Sequence, residues 1–252
     1  VRVEEFINYF NYGYDSPSGG DKFGSYVEIG DCPWNSSKKL MMIGIQGERP
    51  EKTETPPSNL VFLIDSSGSM GAYDKLPLVQ TAFTMLAENL SPQDRISIVT
   101  YAGKSSTVIE GAGADRRDDI VKALYSITAG GCTNGEGGIE QAYKLAEKYF
   151  IEGGNNRVIL ATDGDLNVGK TSESALTELI SSKRRSGVYL SVLGFGTGNL
   201  KDNTLEALAD NGNGNYSYID SVEEARRVLV EEMSGTLFTI AKDVKIQVEF
   251  NP

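Results

Sequence analysis

The sequence predicts a doubly wound α/β domain, in which helices cover both faces of a mostly parallel β-sheet. The main reason is that apolar runs of strand length alternate with segments of helical spacing over residues 59–234. The first run, residues 60–64, is apolar throughout, which is typical of a strand buried on both faces of a parallel sheet. The length of 252 residues leaves room for a second, smaller domain.

Each element of this domain is predicted from its own pattern. Residues 76–90 carry apolar side chains at steps of three and four residues, which is the spacing of one helix face. β-Branched residues dominate residues 95–101 and favour a strand. Ser221 and Glu224 form a capping box at the start of the last helix. The predicted strands are residues 60–64, 95–101, 106–110, 157–162, 188–193 and 215–219, and the predicted helices are residues 76–90, 118–127, 138–150, 172–185, 202–209 and 221–234.

The two ends of the chain predict a small accessory β-domain. Residues 3–10 fit a short amphipathic helix, and residues 25–30 and 39–46 are predicted strands. Residues 244–250 alternate strictly between apolar and polar side chains, so we expect this segment to return as a strand beside those two. The predicted domains are residues 1–57 (accessory), 58–240 (main α/β domain) and 241–252 (returning accessory strand).

The composition argues against several classes of function. The net charge is −11 and no basic face is visible, which argues against nucleic-acid binding. The chain has no histidine, which removes Ser-His-Asp and Cys-His nucleophiles and most zinc sites. No apolar run approaches the roughly 20 residues that a membrane-spanning helix needs. The two cysteines, Cys32 and Cys132, are too few to indicate a redox compartment.

Oxygen-bearing side chains gather in three loops of the predicted domain. Asp65, Ser67 and Ser69 follow the first strand with the spacing D-x-S-x-S, Thr133 lies in a glycine-rich loop, and Asp163 follows the strand at residues 157–162. Ligands of such folds bind beyond the carboxyl ends of the strands. Two carboxylates and three hydroxyls are hard donors, which suit Mg²⁺, or Mn²⁺ and Ca²⁺. An open position on that metal could accept a carboxylate from a partner.

The same three loops carry a resemblance to a known family. VFLIDSSGSM, the Thr133 loop and ATDGD resemble, in order, the three segments of the metal-ion-dependent adhesion site of the von Willebrand factor A (VWA) family. The resemblance implies that Ser67 and Ser69 bind the metal directly, and that Thr133 does so in the ligand-competent state. It also implies that Asp65 and Asp163 act mainly through water and through hydrogen bonds to the directly bound groups.

The flanking segments, among them VRVEEFINYF and LATDGDLNVG, resemble the bacterial YfbK-like subgroup of that family. This implies an extracytoplasmic, envelope-associated protein that is often membrane-anchored. Cys132 departs from the pattern, because a serine is expected there. We therefore predict a metal-dependent protein-binding module for adhesion or scaffolding. Its divalent cation would bridge to an Asp or Glu carboxylate of a protein partner, and it would have no catalytic residues.

Two alternatives remain open from the sequence. The segment Gly164–Thr171 satisfies G-x-x-x-x-G-K-[ST] between a predicted strand and a predicted helix, as a P-loop of a nucleotide hydrolase would. It is the weaker interpretation, because Asp163 and Asp165 would lie beside the bound phosphate and the loop interior has no glycine. The second alternative is a structural module whose metal site is vestigial.

Overall fold

The computed structural model describes residues 3–48, 56–131, 135–164, 173–197, 202–232, 240–241 and 244–250. The chain forms two compact units. The main unit comprises Pro56–Leu237, and the terminal unit comprises Val1–Thr55 with Phe238–Pro252. In the part of the chain described, no helix is long and apolar enough to cross a membrane.

Among its described residues, the main unit is built on one six-stranded sheet. Its strands are β3 (Ser58–Asp65), β4 (Arg95–Tyr101), β5 (Ser105–Ala112), β6 (Asn155–Thr162), β7 (Val188–Phe195) and β8 (Tyr216–Ile219). They lie in the order β5-β4-β3-β6-β7-β8, and all neighbours are parallel except β5, which is antiparallel to β4 at the edge. Every residue of β3 and β6 is buried, as expected for central strands that are covered on both faces.

Helices cover both faces of this sheet and enclose two separate cores. The helices of the main unit are α2 (Leu76–Glu88), α3 (Arg117–Ser126), α4 (Gly135–Lys148), α5 (Glu173–Arg184), α6 (Asp202–Asn211) and α7 (Val222–Arg226). In one core, Leu60, Phe62 and Ile64 of β3 pack against α2, α3 and α7. The other joins Val61 and Leu63 to α4, α5 and α6. Successive side chains of a strand point to opposite faces, so β3 contributes to both cores and the predicted doubly wound α/β fold is confirmed.

The last predicted helix is shorter and less regular than its pattern indicated. The Ser221 hydroxyl accepts a hydrogen bond from the Glu224 amide at 3.2 Å, which confirms half of the predicted capping box. The α-helical turns end at Arg226, and Arg227–Glu232 continue as a π-helix. Residues 233–234, the end of the predicted helix, lie outside the described residues.

The terminal unit contains a short helix, α1 (Val3–Tyr9), and an antiparallel pair of strands, β1 (Phe23–Asp31) and β2 (Lys39–Gly47). Tyr14 stacks on Tyr26 of β1, with ring centroids 4.4 Å apart. The Tyr14 ring also lies where a side chain at Gly44 of β2 would be, since a Cβ there would come within 2.4 Å of it. Tyr14 therefore packs over Tyr26 and its register partner Gly44 on one face of the pair.

The predicted returning strand at residues 244–250 is wrong. These residues have no regular secondary structure, and all of them are exposed. Within the described part of the terminal unit, β1 and β2 pair only with each other. Alternation of apolar and polar side chains gives a segment strand propensity, but a strand forms only where its backbone groups meet a neighbouring strand.

Candidate metal centre

Asp65 is the last residue of β3, and its side chain is fully buried. Its Oδ1 accepts a hydrogen bond from the Ser67 amide at 2.9 Å. Its Oδ2 accepts from the hydroxyls of Tyr101, at 3.3 Å, and of Thr162, at 3.2 Å. The three donors come from the loop after β3 and from the ends of the neighbouring strands β4 and β6. The carboxylate is therefore fixed in one orientation at the carboxyl edge of the sheet.

The electrostatic environment of Asp65 favours a nearby cation. Burial raises the pKa of its carboxyl group, the hydrogen bonds from Ser67 lower it, and the charge of Asp163 raises it again. Burial also raises the pKa of Tyr101 well above its usual value, and the charge of Asp65 adds to that effect. A site that holds two carboxylates close together and out of water gains stability when positive charge enters it.

Ser67 and Ser69 lie in the loop that follows Asp65, and their hydroxyl groups are in contact. Their Oγ atoms are 3.0 Å apart, and the backbone between them enters a 3₁₀ turn at Gly68–Gly71. Ser67 is buried whereas Ser69 is exposed, so this pair opens from the protein interior toward solvent. Two hydroxyl oxygens at this separation can both reach one small cation.

The loop after β3 is also tied to the glycine-rich loop that leads to Thr133. The Gly68 amide donates to the Gly131 carbonyl at 3.2 Å, and the Gly130 amide donates to the Ser66 carbonyl at 2.8 Å. Thr133 and Cys132 themselves lie outside the described residues. The backbone on their N-terminal side is thus held against the Asp65 loop.

Asp163 follows β6 and is engaged by a lysine that the sequence analysis missed. Lys75 Nζ donates to Asp163 Oδ2 at 2.9 Å and to the Ser69 carbonyl at 3.0 Å. Lys75 immediately precedes α2. A lysine at a helix N-terminus opposes the helix dipole. This unfavourable position is the signal in the sequence that could have identified Lys75.

The structure thus brings Asp65, Ser67, Ser69 and Asp163 into one cluster of loops. Among the residues that are described, no three or more His, Cys, Asp or Glu side chains are placed to hold a metal ion. The donor set is instead two carboxylates with hydroxyls, and it already holds a cation in the form of the Lys75 ammonium. Its charge and its oxygen chemistry therefore fit a hard divalent ion.

The P-loop-like segment Gly164–Thr171 is described only at its first residue. The Gly164 amide donates to the Thr162 hydroxyl at 3.2 Å, so it is turned toward the Asp65 network. Thr162 itself donates to Asp65 Oδ2. This amide therefore supports the carboxylate cluster, and it is not directed at a phosphate position.

Replacing Gly138 by alanine tests how tightly Tyr101 is held beside Asp65. A Cβ at Gly138 in α4 would lie 2.7 Å from Tyr101 Cβ, and Tyr101 is fully buried. We expect the added methyl group to destabilise the protein by about 1–3 kcal/mol, as overpacking of a core does. The measurement is urea unfolding followed by circular dichroism.

Gly137→Ala is the matched control for this substitution in the same helix. Its Cβ would meet only Ser105 Oγ, at 3.7 Å. Alanine should therefore stabilise α4 there, by up to about 1 kcal/mol, through helix propensity alone. Equal stabilisation by both substitutions would show that Tyr101 is not held rigidly.

Comparison with known proteins shows relatives along the whole chain. The uncharacterized protein YfbK of Escherichia coli is 44% identical over 259 residues, which include 100% of this chain but 45% of the relative. The chain thus spans less than half the length of that relative. Family models for a von Willebrand factor region and for the YfbK C-terminal region match residues 1–42 and 235–252.

Solved structures share the fold at low sequence identity. A von Willebrand factor type A protein from Catenulispora acidiphila has a TM-score of 0.63 at 16% identity, over 88% of this chain and 47% of that one. An aerotolerance-related membrane protein from Bacteroides fragilis has a TM-score of 0.59 at 20% identity, over 71% and 99%. Proximal thread matrix protein 1 of the mussel byssus, with a zinc-occupied MIDAS motif (the metal-ion-dependent adhesion site), has a TM-score of 0.57 at 22% identity, over 73% and 46%.

The fold, the carboxyl-edge cluster and these comparisons lead to one assignment. The sheet order and the two helical layers lie within Pro56–Leu237. The model of the von Willebrand factor type A domain matches residues 59–232, which is more than half of the chain. The chain therefore belongs to the von Willebrand factor type A domain family.

Proposed function

We propose that this chain is a metal-dependent protein-binding module for adhesion or scaffolding. The proposal is that Asp65, Ser67, Ser69, Thr133 and Asp163 hold a divalent cation. The cation would bridge to an Asp or Glu carboxylate of a protein partner. The observation that carries the proposal is the buried Asp65 carboxylate, which three donors orient beside the paired hydroxyls of buried Ser67 and exposed Ser69.

The proposed roles of the residues in the cluster differ with their positions. Ser67 and Ser69, whose Oγ atoms are 3.0 Å apart, would contact the metal through their hydroxyl oxygens, with the exposed Ser69 on the solvent side. Asp65 already accepts hydrogen bonds from three donors, so it would act through bound water and by orienting the Ser67 backbone. The bound cation would supply an electrostatic attraction for the partner's carboxylate. Neutral hydroxyl ligands leave most of the cation's charge available for that contact.

We propose that the bound cation is Mg²⁺, or Mn²⁺ or Ca²⁺. Carboxylate and hydroxyl oxygens favour these hard ions over softer ones. The zinc-occupied mussel protein supports a divalent cation at this position of the fold. We propose no catalysis, because the chain has no histidine and both carboxylates already accept hydrogen bonds, Asp65 from Ser67 and Asp163 from Lys75.

We propose that the protein acts outside the cytoplasm, at the cell envelope. The support is the neighbour from Bacteroides fragilis, an aerotolerance-related membrane protein that shares the fold. The described helices of this chain include none that could span a membrane.

Thermal unfolding with and without metal tests the proposed site. A cation that binds only the folded state raises its stability by mass action, by about 2.7 kcal/mol at a concentration 100 times the dissociation constant. For a domain of this size that is a rise in Tm of about 5–10 °C. We expect this rise in wild type between EDTA and saturating Mg²⁺ or Mn²⁺, and its loss in Ser67→Ala/Ser69→Ala.

Ser126→Ala is the control for the loss of a hydroxyl, because Ser126 is exposed at the end of α3. It should keep the full rise. No rise in wild type would support the vestigial alternative. Phosphate release from ATP that Lys170→Ala abolishes would support the nucleotide hydrolase. A peptide carrying Asp that binds only with metal, where its Asn counterpart does not, would support the bridging role.

A further inference from the structure

Lys75 places a positive charge inside the candidate metal centre. Its ammonium lies 2.9 Å from Asp163 Oδ2 and 3.0 Å from the Ser69 carbonyl oxygen. The Lys75 side chain is 19% exposed and the Asp163 side chain 6%. Ion pairs on the surface contribute little because water screens them, but this pair is largely removed from water. The ammonium and a bound divalent cation would therefore interact strongly.

The position of Lys75 is built by two loops. A Cβ at Gly196 would lie 2.5 Å from Lys75 Cε and 2.8 Å from Lys75 Cγ, so the lysine stem runs through space that only glycine leaves open. The next residue, Thr197, donates from its amide and its hydroxyl to Asp74 Oδ2, at 2.9 and 3.1 Å. These contacts fix the loop after β7 against the start of α2, and they direct Lys75 into the cluster.

Lys75 also lies at the N-terminus of α2, where a positive charge destabilises the fold unless acidic groups lie beside it. It immediately precedes α2, whose N-terminal backbone amides carry partial positive charge. It forms an ion pair with Asp163, one of the residues proposed to bind the metal. The lysine ammonium therefore offsets negative charge of the acidic cluster, a role that a bound divalent cation would take over.

We propose that Lys75 is an internal cation that competes with the divalent metal for the acidic cluster, and this inference rests on the proposed function. In the metal-free protein its ammonium balances Asp163 and stabilises the fold. A divalent ion that binds to the same cluster meets repulsion from the ammonium and must weaken or replace the Lys75–Asp163 pair. Lys75 thus makes the metal affinity lower than it would be with the same oxygen ligands and no ammonium group beside them.

The test is a comparison of Lys75→Met with wild type by two measurements. Methionine keeps an unbranched stem for the slot at Gly196 and removes the charge. Titration calorimetry with Mn²⁺ should show binding that is tighter by about tenfold. Thermal unfolding in EDTA should show a lower Tm, because the metal-free cluster has lost its ammonium. The metal-induced rise in Tm should therefore be larger than in wild type.

Two controls separate this effect from others. Lys75→Arg keeps the charge and should bind Mn²⁺ much more weakly than Lys75→Met. Lys183→Met removes a positive charge from the surface pair with Glu147, 2.8 Å apart, and makes a protein of net charge −11 more acidic overall. Its Mn²⁺ affinity should change less than twofold. An equal gain in Lys183→Met and Lys75→Met would overturn the inference, since general attraction would explain both.

The outcomes also separate this inference from the proposed function. Mn²⁺ binding that is equal or weaker in Lys75→Met than in wild type would overturn the competition and leave the metal site intact. Binding in Lys75→Met but not in wild type would support the competition in its strongest form. No binding in any variant would overturn the proposed function and this inference together.

Discussion

Asp65→Asn should weaken metal binding by about 10–100-fold, the usual effect of removing a group that orients a metal's direct ligands. The metal-free protein should be as stable as wild type or more stable. Asparagine has the same shape, and its carbonyl oxygen can still accept from the Ser67 amide. The hydroxyls of Tyr101 and Thr162 can rotate to accept from its amide. The substitution therefore removes a buried charge beside Asp163 and keeps the local packing.

Titration calorimetry with Mn²⁺ and thermal unfolding in EDTA measure the two effects on Asp65→Asn separately. Asp210→Asn is the matched control, because Asp210 is exposed near the end of α6 and should change neither quantity. A lower Tm in EDTA with unchanged metal affinity would show that Asp65 supports the fold and not the metal. That result would contradict the proposed function at its central residue.

The sheet could be predicted from the sequence because its central strands are extreme cases. A strand such as β3 is buried on both faces, so each of its residues from Leu60 to Ile64 is apolar, and few other structures require that. Asp65 then stands out as a carboxylate at the end of an apolar run, where a charge needs a partner. The position of a candidate metal residue could thus be predicted together with the strand that carries it.

The contacts between distant loops could not be predicted in the same way. Asp65 and Thr162 belong to adjacent strands, but their hydrogen bond depends on the order of strands in the sheet. Lys75 reaches Asp163 only because Gly196, on a third loop, leaves space for its stem. Such contacts depend on the relative positions of three loops in the folded chain, which no local sequence pattern predicts.

The wrong strand at residues 244–250 has a related cause. Its alternation of apolar and polar side chains is a local property, and it resembles that of β1 and β2. Pairing is not local, since it depends on a free edge at the right distance and in the right register. Strand predictions are therefore strongest for buried central strands and weakest for segments whose partner is not specified.

Phe62→Ala should cost the largest amount of stability, about 3–5 kcal/mol, because it empties the middle of one core. Phe62 is fully buried on β3 and stacks on Phe83 of α2, with ring centroids 4.1 Å apart. Urea unfolding measures the loss. Phe150→Ala is the control, since Phe150 is 40% exposed and its removal should cost less than about 1 kcal/mol. A similar cost for both would mean that the Phe62–Phe83 stack does not dock α2 onto the sheet.

The metal-induced rise in the stability of Phe62→Ala should nevertheless equal that of wild type. By mass action the rise depends only on metal concentration and on the affinity of the folded state. The carboxyl-edge loops that hold Asp65 are joined to one another by their own hydrogen bonds, from Ser67, Tyr101 and Thr162. A destabilised core therefore lowers the free energy of unfolding by the same amount in EDTA and in Mn²⁺. A smaller rise in Phe62→Ala would instead show that the packing of α2 sets the geometry of the site, since Lys75 immediately precedes that helix.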